Sequence, residues 1–168
     1  MLRVRYAWHA LGVPDAHSGD IDRLYALPLE EFTRERDELA KRLPAAKALK
    51  KPSVAAWAVN QVQRDRPDEV RELIEVTEEL HRVYAKLSSA GARERLEEAA
   101  EMQRGLIRSL VRCAAQLLEA GGHSASDATL TRVADTLRAA ALDEELREQL
   151  AHGRVVKEQR AAGLGPIA

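Results

Sequence analysis

Little in this sequence could build a sheet. Aromatic residues make up 4% of the 168-residue chain, with a single phenylalanine, and β-branched residues are sparse. Strands are enriched in both, so a sheet-rich domain is excluded. Cysteine occurs once, as Cys113. One thiol rules out an intramolecular disulfide or a thiolate zinc cluster, and it fits a reducing, cytoplasmic compartment. No apolar run approaches the roughly 18 residues that a spanning helix needs. The start, Met1 to Leu11, carries Arg3 and Arg5 but no sustained apolar stretch, so no signal peptide is expected. Charge of one sign is lacking too: 26 Lys and Arg stand against 27 Asp and Glu, a formal net charge of -1. That excludes a histone-like polycation, although not a local basic patch.

What is there favours helix. Ala, Leu, Glu and Arg dominate, the residues that lose least on entering one. Residues 1–19 develop no helical stripe and read as an arm, broken by Gly12, Pro14, Ser18 and Gly19; Tyr6, Trp8 and Leu11 could dock on a neighbour. Asp20 can cap a short helix with Ile21, Leu24 and Tyr25 on one side. Pro28 suits the start of a second, whose stripe is Leu29, Phe32, Arg36, Leu39 and Leu43, and Pro44 stops it. A short basic turn, Ala45 to Lys51, leads to Pro52 and Ser53 and a third helix with Val54, Ala55, Ala58, Val59 and Val62 inward, ended by Pro67.

The fourth helix is expected from Asp68 to about Leu87, with Val70, Leu73, Thr77, Leu80, Tyr84 and Leu87 at near-heptad spacing. After the turn Ser88 to Gly91, a fifth runs from about Arg93 to Ala120, with Leu96, Ala99, Gln103, Leu106, Leu110, Cys113 and Leu117 inward. Gly121 and Gly122 close it. A sixth helix aligns Leu130, Val133, Leu137 and Ala141, and Asp143 caps a seventh that stops at Gly153. The reading is an all-α helical bundle over residues 20–153, built around a long antiparallel hairpin of the fourth and fifth helices. Residues 154–168, with Gly163, Gly165 and Pro166, read as a flexible tail.

Four stretches carry a resemblance. They are Leu24-Tyr25-Ala26-Leu27-Pro28 continuing to Phe32, Arg36 to Lys41, Lys50-Lys51-Pro52-Ser53 with Trp57, Asn60 and Gln61 following, and Leu137 to Ala141 before an acidic helix. Together they resemble an uncharacterised family of small helical proteins of high-GC Gram-positive bacteria. That family has a Leu-Tyr-x-Leu-Pro opening and a basic-Pro-Ser-x-x-x-Trp-x-x-Asn segment. The resemblance spans roughly residues 20–153 and implies a helical fold, with no established activity. The basic turn follows Leu43 sooner than the family pattern has it. Residues 1–19 precede the family's usual beginning, which points to an upstream start codon.

Candidates for chemistry are few. Glu78-x-x-His81 is one copy of a motif that di-iron bundles use twice, and it falls on the wet side of its helix. Cys113 sits on the core stripe without a nearby histidine, as an inert buried thiol would. Neither catalytic, cofactor nor metal residues are assigned, and no enzyme is expected.

One segment is less bland. From Lys41 to Arg64 there is no acid, and Trp57, Asn60, Gln61 and Arg64 share a ridge at i, i+3, i+4 and i+7. Two readings follow. In one, Lys47, Lys50, Lys51, Trp57, Asn60, Gln61 and Arg64 form an open cationic and aromatic surface for a partner. In the other, Trp57 turns into the core and the amides tie down a loop. The open reading makes the chain a non-enzymatic interaction module for a protein partner or a second copy of itself. Its alternative is a nucleic-acid-associated protein using residues 41–64.

Overall fold

A computed structural model describes residues 17–85 and 91–160. Among them the chain is all-α, with seven helices, one 3₁₀ turn and no strand. Helix α1 is Ser18–Ala26 and α2 is Leu29–Arg42, followed by the 3₁₀ turn Pro44–Ala48. Then come α3 (Val54–Asp65), α4 (Pro67–Tyr84), α5 (Ala92–Ala120), α6 (Asp127–Leu142) and α7 (Glu144–Ala151). Among the described residues no helix is long and apolar enough to cross a membrane.

Side-chain caps begin three of these helices. Ser53 Oγ accepts from the Ala56 amide at 3.2 Å, Ser126 Oγ from Thr129 at 3.3 Å and an Asp143 carboxylate oxygen from Leu146 at 2.8 Å. Each such cap contributes about 0.5–2 kcal/mol. Prolines separate others: Pro44 follows the end of α2, and Pro67 opens α4, where its missing N–H costs nothing.

Helices α4 and α5 form the antiparallel hairpin. Gln103 Nε2 donates to Thr77 Oγ1 at 2.7 Å, and Ser109 Oγ donates to Glu69 at 2.7 Å, so numbering rises on one helix as it falls on the other. Leu87 and the residues of the turn before Gly91 lie outside the described residues. The most enclosed helices are α3 and α6. Ala55, Ala56, Ala58, Ala139, Ala140 and Ala141 are all buried, and such short side chains let helices approach closely. Leu73, Leu110, Leu118, Val133, Leu137, Leu146 and Leu150 fill the same core. A smaller core lies beside it, made by Ile21, Leu24, Tyr25, Phe32, Leu39, Leu43, Ala46 and Leu49. There Tyr25 meets Phe32 edge-on with ring centres 5.2 Å apart.

The inward register shifts along the hairpin. Leu110 and Cys113 are buried, but Ile107, Ala114 and Leu118 take the inner positions beside them while Leu106 and Leu117 are half-buried. On α4, Val83 is buried in place of Tyr84, and Leu80 is half-buried. A strict heptad drifts about 20° per repeat on a straight helix. Moreover, α5 passes from α4 alone onto α3 and α6, so its inner face turns.

Two boundaries change. Helix α1 already includes Ser18 and Gly19, whereas Tyr6, Trp8 and Leu11 lie outside the described residues. The flexible tail expected from Arg154 is corrected for residues 154–160: Val155 is fully buried and Arg154 is 3% exposed. Gly163, Gly165 and Pro166 lie outside the described residues.

Candidate functional site

The ridge of α3 exists, and it faces inward. Trp57 is 6% exposed, and its Nε1–H donates to the Leu27 carbonyl at 2.9 Å. The ring meets His123 edge-on, with centres 5.2 Å apart. It also lies so close to Gly121 that a Cβ there would stand 2.7 Å from Trp57 Cη2. One turn on, Gln61 Nε2 donates to the Tyr25 carbonyl at 3.2 Å. One turn further, Arg64 donates to the carbonyls of Asp22 at 3.1 Å, Gly153 at 3.0 Å and Asn60 at 2.9 Å. The carbonyls at a helix C-terminus have no intrahelical partner. Trp57 and Gln61 supply donors to those at the end of α1.

Asn60 holds the segment after α7. Its Nδ2 donates to the Val155 carbonyl at 2.9 Å, and its Oδ1 accepts from the Val155 amide at 2.8 Å, with both residues fully buried. Ser53 pins the same strand of chain: its amide donates to the Val156 carbonyl at 3.0 Å, and its hydroxyl donates to the Glu158 carboxylate. That hydroxyl is the main reason the Glu158 carboxyl is held below its ordinary range. Arg154 pairs with Asp22 at 2.7 Å and donates to Ser18 Oγ at 2.6 Å. Burial lowers the pKa of Arg64, with Arg154 adding to the effect and Asp22 opposing it.

This corrects the open surface expected of residues 47–64. Trp57, Asn60, Gln61 and Arg64 are internal staples, because their polar ends are spent on main-chain groups of α1, of α3 itself and of residues 153–155. Lys47, Lys50 and Lys51 remain exposed at the turn. Lys47 pairs with Asp37 at 3.0 Å, and the Lys50 carbonyl accepts from the Tyr25 hydroxyl at 3.0 Å. Burial pushes that hydroxyl up to about 12. Three lysines without an aromatic anchor are all that the turn presents.

The other candidates also find ordinary places. Cys113 is buried, its Sγ lies 3.4 Å from Asp65, and burial followed by that carboxylate pushes the thiol up to about 11. Glu78 pairs with Arg147 at 2.6 Å, and His81 is exposed.

A different surface stands open. Between α5 and α6 runs a wide-mouthed groove of about 590 Å³, floored by Ile107, Val111, Leu130 and Ala134 and edged by Arg108, Arg112 and Arg138. Arg138 pairs with Asp135 at 3.3 Å. Among the described residues neither Arg108 nor Arg112 has a carboxylate within 4 Å, whereas Arg34, Arg66 and Arg71 all do. Glu69, held down chiefly by the Ser109 hydroxyl, feels Arg112 only at longer range. A signal for this surface is present in the sequence: no acid occurs between Glu101 and Glu119, and Arg104, Arg108 and Arg112 recur every fourth residue. No family model, curated protein or solved structure matches this chain.

Proposed function

We propose that the chain is a non-enzymatic helical interaction module, and that its docking surface is the groove between α5 and α6. A single observation carries this reading: an apolar floor edged by Arg108 and Arg112, neither of which has a carboxylate within 4 Å among the described residues. Sites for small molecules bury most of the ligand in a concave cavity. This groove is open along its length and better suits a helix laid between two helices. Its polar complement is guanidinium groups with Asp127 and Thr131, two side chains that no hydrogen bond joins. A cytoplasmic location belongs to the same proposal, in keeping with the lone free thiol.

Selection of displayed helical peptides on the purified protein tests the reading. Peptides should be enriched, and they should lose binding to Val111→Glu and to Leu130→Glu, which place a charge in the floor, while retaining it on Glu72→Ala, far along α4. Absence of enrichment, or binding indifferent to both floor variants, would overturn the docking surface.

A further inference from the structure

The outer face of α5 carries a second pattern. Glu94, Glu98, Glu101, Gly105, Arg108 and Arg112 follow steps of four, three, four, three and four residues. At 3.6 residues per turn all six lie within about 40° of one line along the helix. That line points away from the core: Glu94, Glu98, Glu101, Arg108 and Arg112 are exposed, and a Cβ on Gly105 would meet nothing within 4 Å. The charges are segregated along it, acidic toward the N-terminus and basic toward the C-terminus.

Segregation is unfavourable for a helix that faces only water. A solvated helix gains from opposite charges four residues apart and loses from like ones. Here Glu94 and Glu98, Glu97 and Glu101, and Arg104, Arg108 and Arg112 are like-charged neighbours at that step. Among the described residues none of these side chains has an ion-pair partner within 4 Å, in contrast to Glu78, Glu79 and Arg82 on α4. The helix macrodipole favours acids at the N-terminus, but its effect fades within the first turn and the last. Arg108 lies about three turns from the end of α5.

The stripe is, however, complementary to itself turned around. Glu94 and Arg112 are equidistant from Gln103, and so are Glu98 and Arg108, and Glu101 and Gly105. We propose that this face is a self-association surface, on which α5 of a second copy lies antiparallel about a two-fold axis that passes between Glu101 and Gly105, level with Gln103. Glu94 then meets Arg112 of the second copy, Glu98 meets its Arg108, and the symmetry doubles each pair. Gly105 removes the side chain where the helices come closest. The glutamate half of one copy lies along the arginine edge of the other's groove, while Val111 and Ile107 of its floor point about 100–140° to the side of the stripe. The proposal therefore shares Arg108 and Arg112 with the docking reading, goes beyond it, and leaves the apolar floor to a further helix. A two-fold contact of this kind uses the same patch twice and closes on itself.

Sedimentation of the full chain tests it with a charge swap. At low salt the wild-type protein should form dimers, and these should dissociate as salt screens exposed pairs. Glu94→Arg/Glu98→Arg and Arg108→Glu/Arg112→Glu should each be monomeric, because every pair becomes repulsive, and circular dichroism should show both folded. Mixed in equal amounts, the two variants should form a one-to-one heterodimer, since all four pairs are restored. A monomeric wild-type protein at high concentration and low salt would overturn the proposal, as would variants that dimerise like wild type or a mixture that does not associate. Should the proposal fail in this way while selected peptides still bind the groove, the docking reading survives on its own. An RNA or DNA duplex that competes with dimerisation and binds Arg108→Glu/Arg112→Glu as tightly as wild type counts against the stripe, because phosphates would need those arginines.

Discussion

Replacing Asn60 by alanine should loosen the whole C-terminal side of the bundle. The side chain is fully buried and makes two hydrogen bonds, of 2.9 and 2.8 Å, to the carbonyl and amide of Val155, itself fully buried. Truncation strands both main-chain groups away from water. A buried polar group left without its partner costs about 1–3 kcal/mol. Two such groups put the upper bound near ~6 kcal/mol. The segment can instead lift into water, which solvates the pair but gives up the burial of Val155, worth about 1.5–3 kcal/mol. The expected loss is therefore about 3 kcal/mol, the cheaper route. For a chain of this size that lowers Tm by roughly 6–12 °C. Asn60→Asp should be worse than alanine, since it sets a carboxylate oxygen against the Val155 carbonyl in a dry site. Gln61→Ala, which removes one half-buried 3.2 Å bond, should cost about 1 kcal/mol or less. Urea unfolding followed by circular dichroism measures all three, and amide exchange of Val155 reports the segment directly. Asn60→Ala within about 0.5 kcal/mol of wild type, or a Val155 amide that exchanges in the native protein as in a free peptide, would refute the reasoning.

The Glu158 contact predicts an acid dependence: because its folded pKa is depressed by the Ser53 hydroxyl, its stabilisation is present above the ordinary carboxylate range and is lost as pH falls through the folded value. Wild type should exceed Glu158→Gln in unfolding free energy at pH 7, and the difference should shrink as pH falls below the ordinary carboxylate range. Three glycines should respond differently to alanine. Gly121→Ala drives a Cβ to 2.7 Å from Trp57 and should cost about 1–3 kcal/mol. Gly153→Ala meets the Arg64 guanidinium at 2.6 Å with φ at +62° and should also destabilise. Gly105→Ala has open space in mid-helix and should stabilise by about 0.5–1 kcal/mol, so thermal melts rank the three. Cys113, raised from 9.0 to about 11, should hold about a hundredfold less thiolate than a free thiol at pH 8. Alkylation of the native protein should be slower by at least that factor than of the urea-unfolded chain.

Helix ends were the most legible part of the sequence, because prolines, glycines and short polar caps act locally. Pro44, Ser53, Pro67, Gly122 and Asp143 each mark a boundary that the fold keeps. The spacing of Trp57, Asn60, Gln61 and Arg64 was legible as one ridge, but its direction was not. Periodicity names a face without saying what covers it, and here the covers are α1, 36 residues before Gln61, and Val155, 95 residues after Asn60. The segment after Gly153 reads as loose because Gly163, Gly165 and Pro166 fall in it, yet Asn60, Ser53 and Thr136 supply anchors for residues 155–159 from other parts of the chain. On α5 the leucine spacing suggested a single inner face for its whole length. The helix instead changes neighbours midway, and the charge pattern on its far side, a weaker signal than the acid-free run of residues 41–64, marks the surface left open.

The most direct test of where this protein meets its partner is a nitrogen–proton correlation spectrum of the full chain, recorded across a concentration series at low salt. Shifts are expected along the outer face of α5 from Glu94 to Arg112, with the Trp57 indole and the amides of Lys50 and Lys51 unmoved. Shifts gathered at Trp57, Lys50 and Lys51 with α5 silent would contradict the account and return the interaction surface to the basic turn.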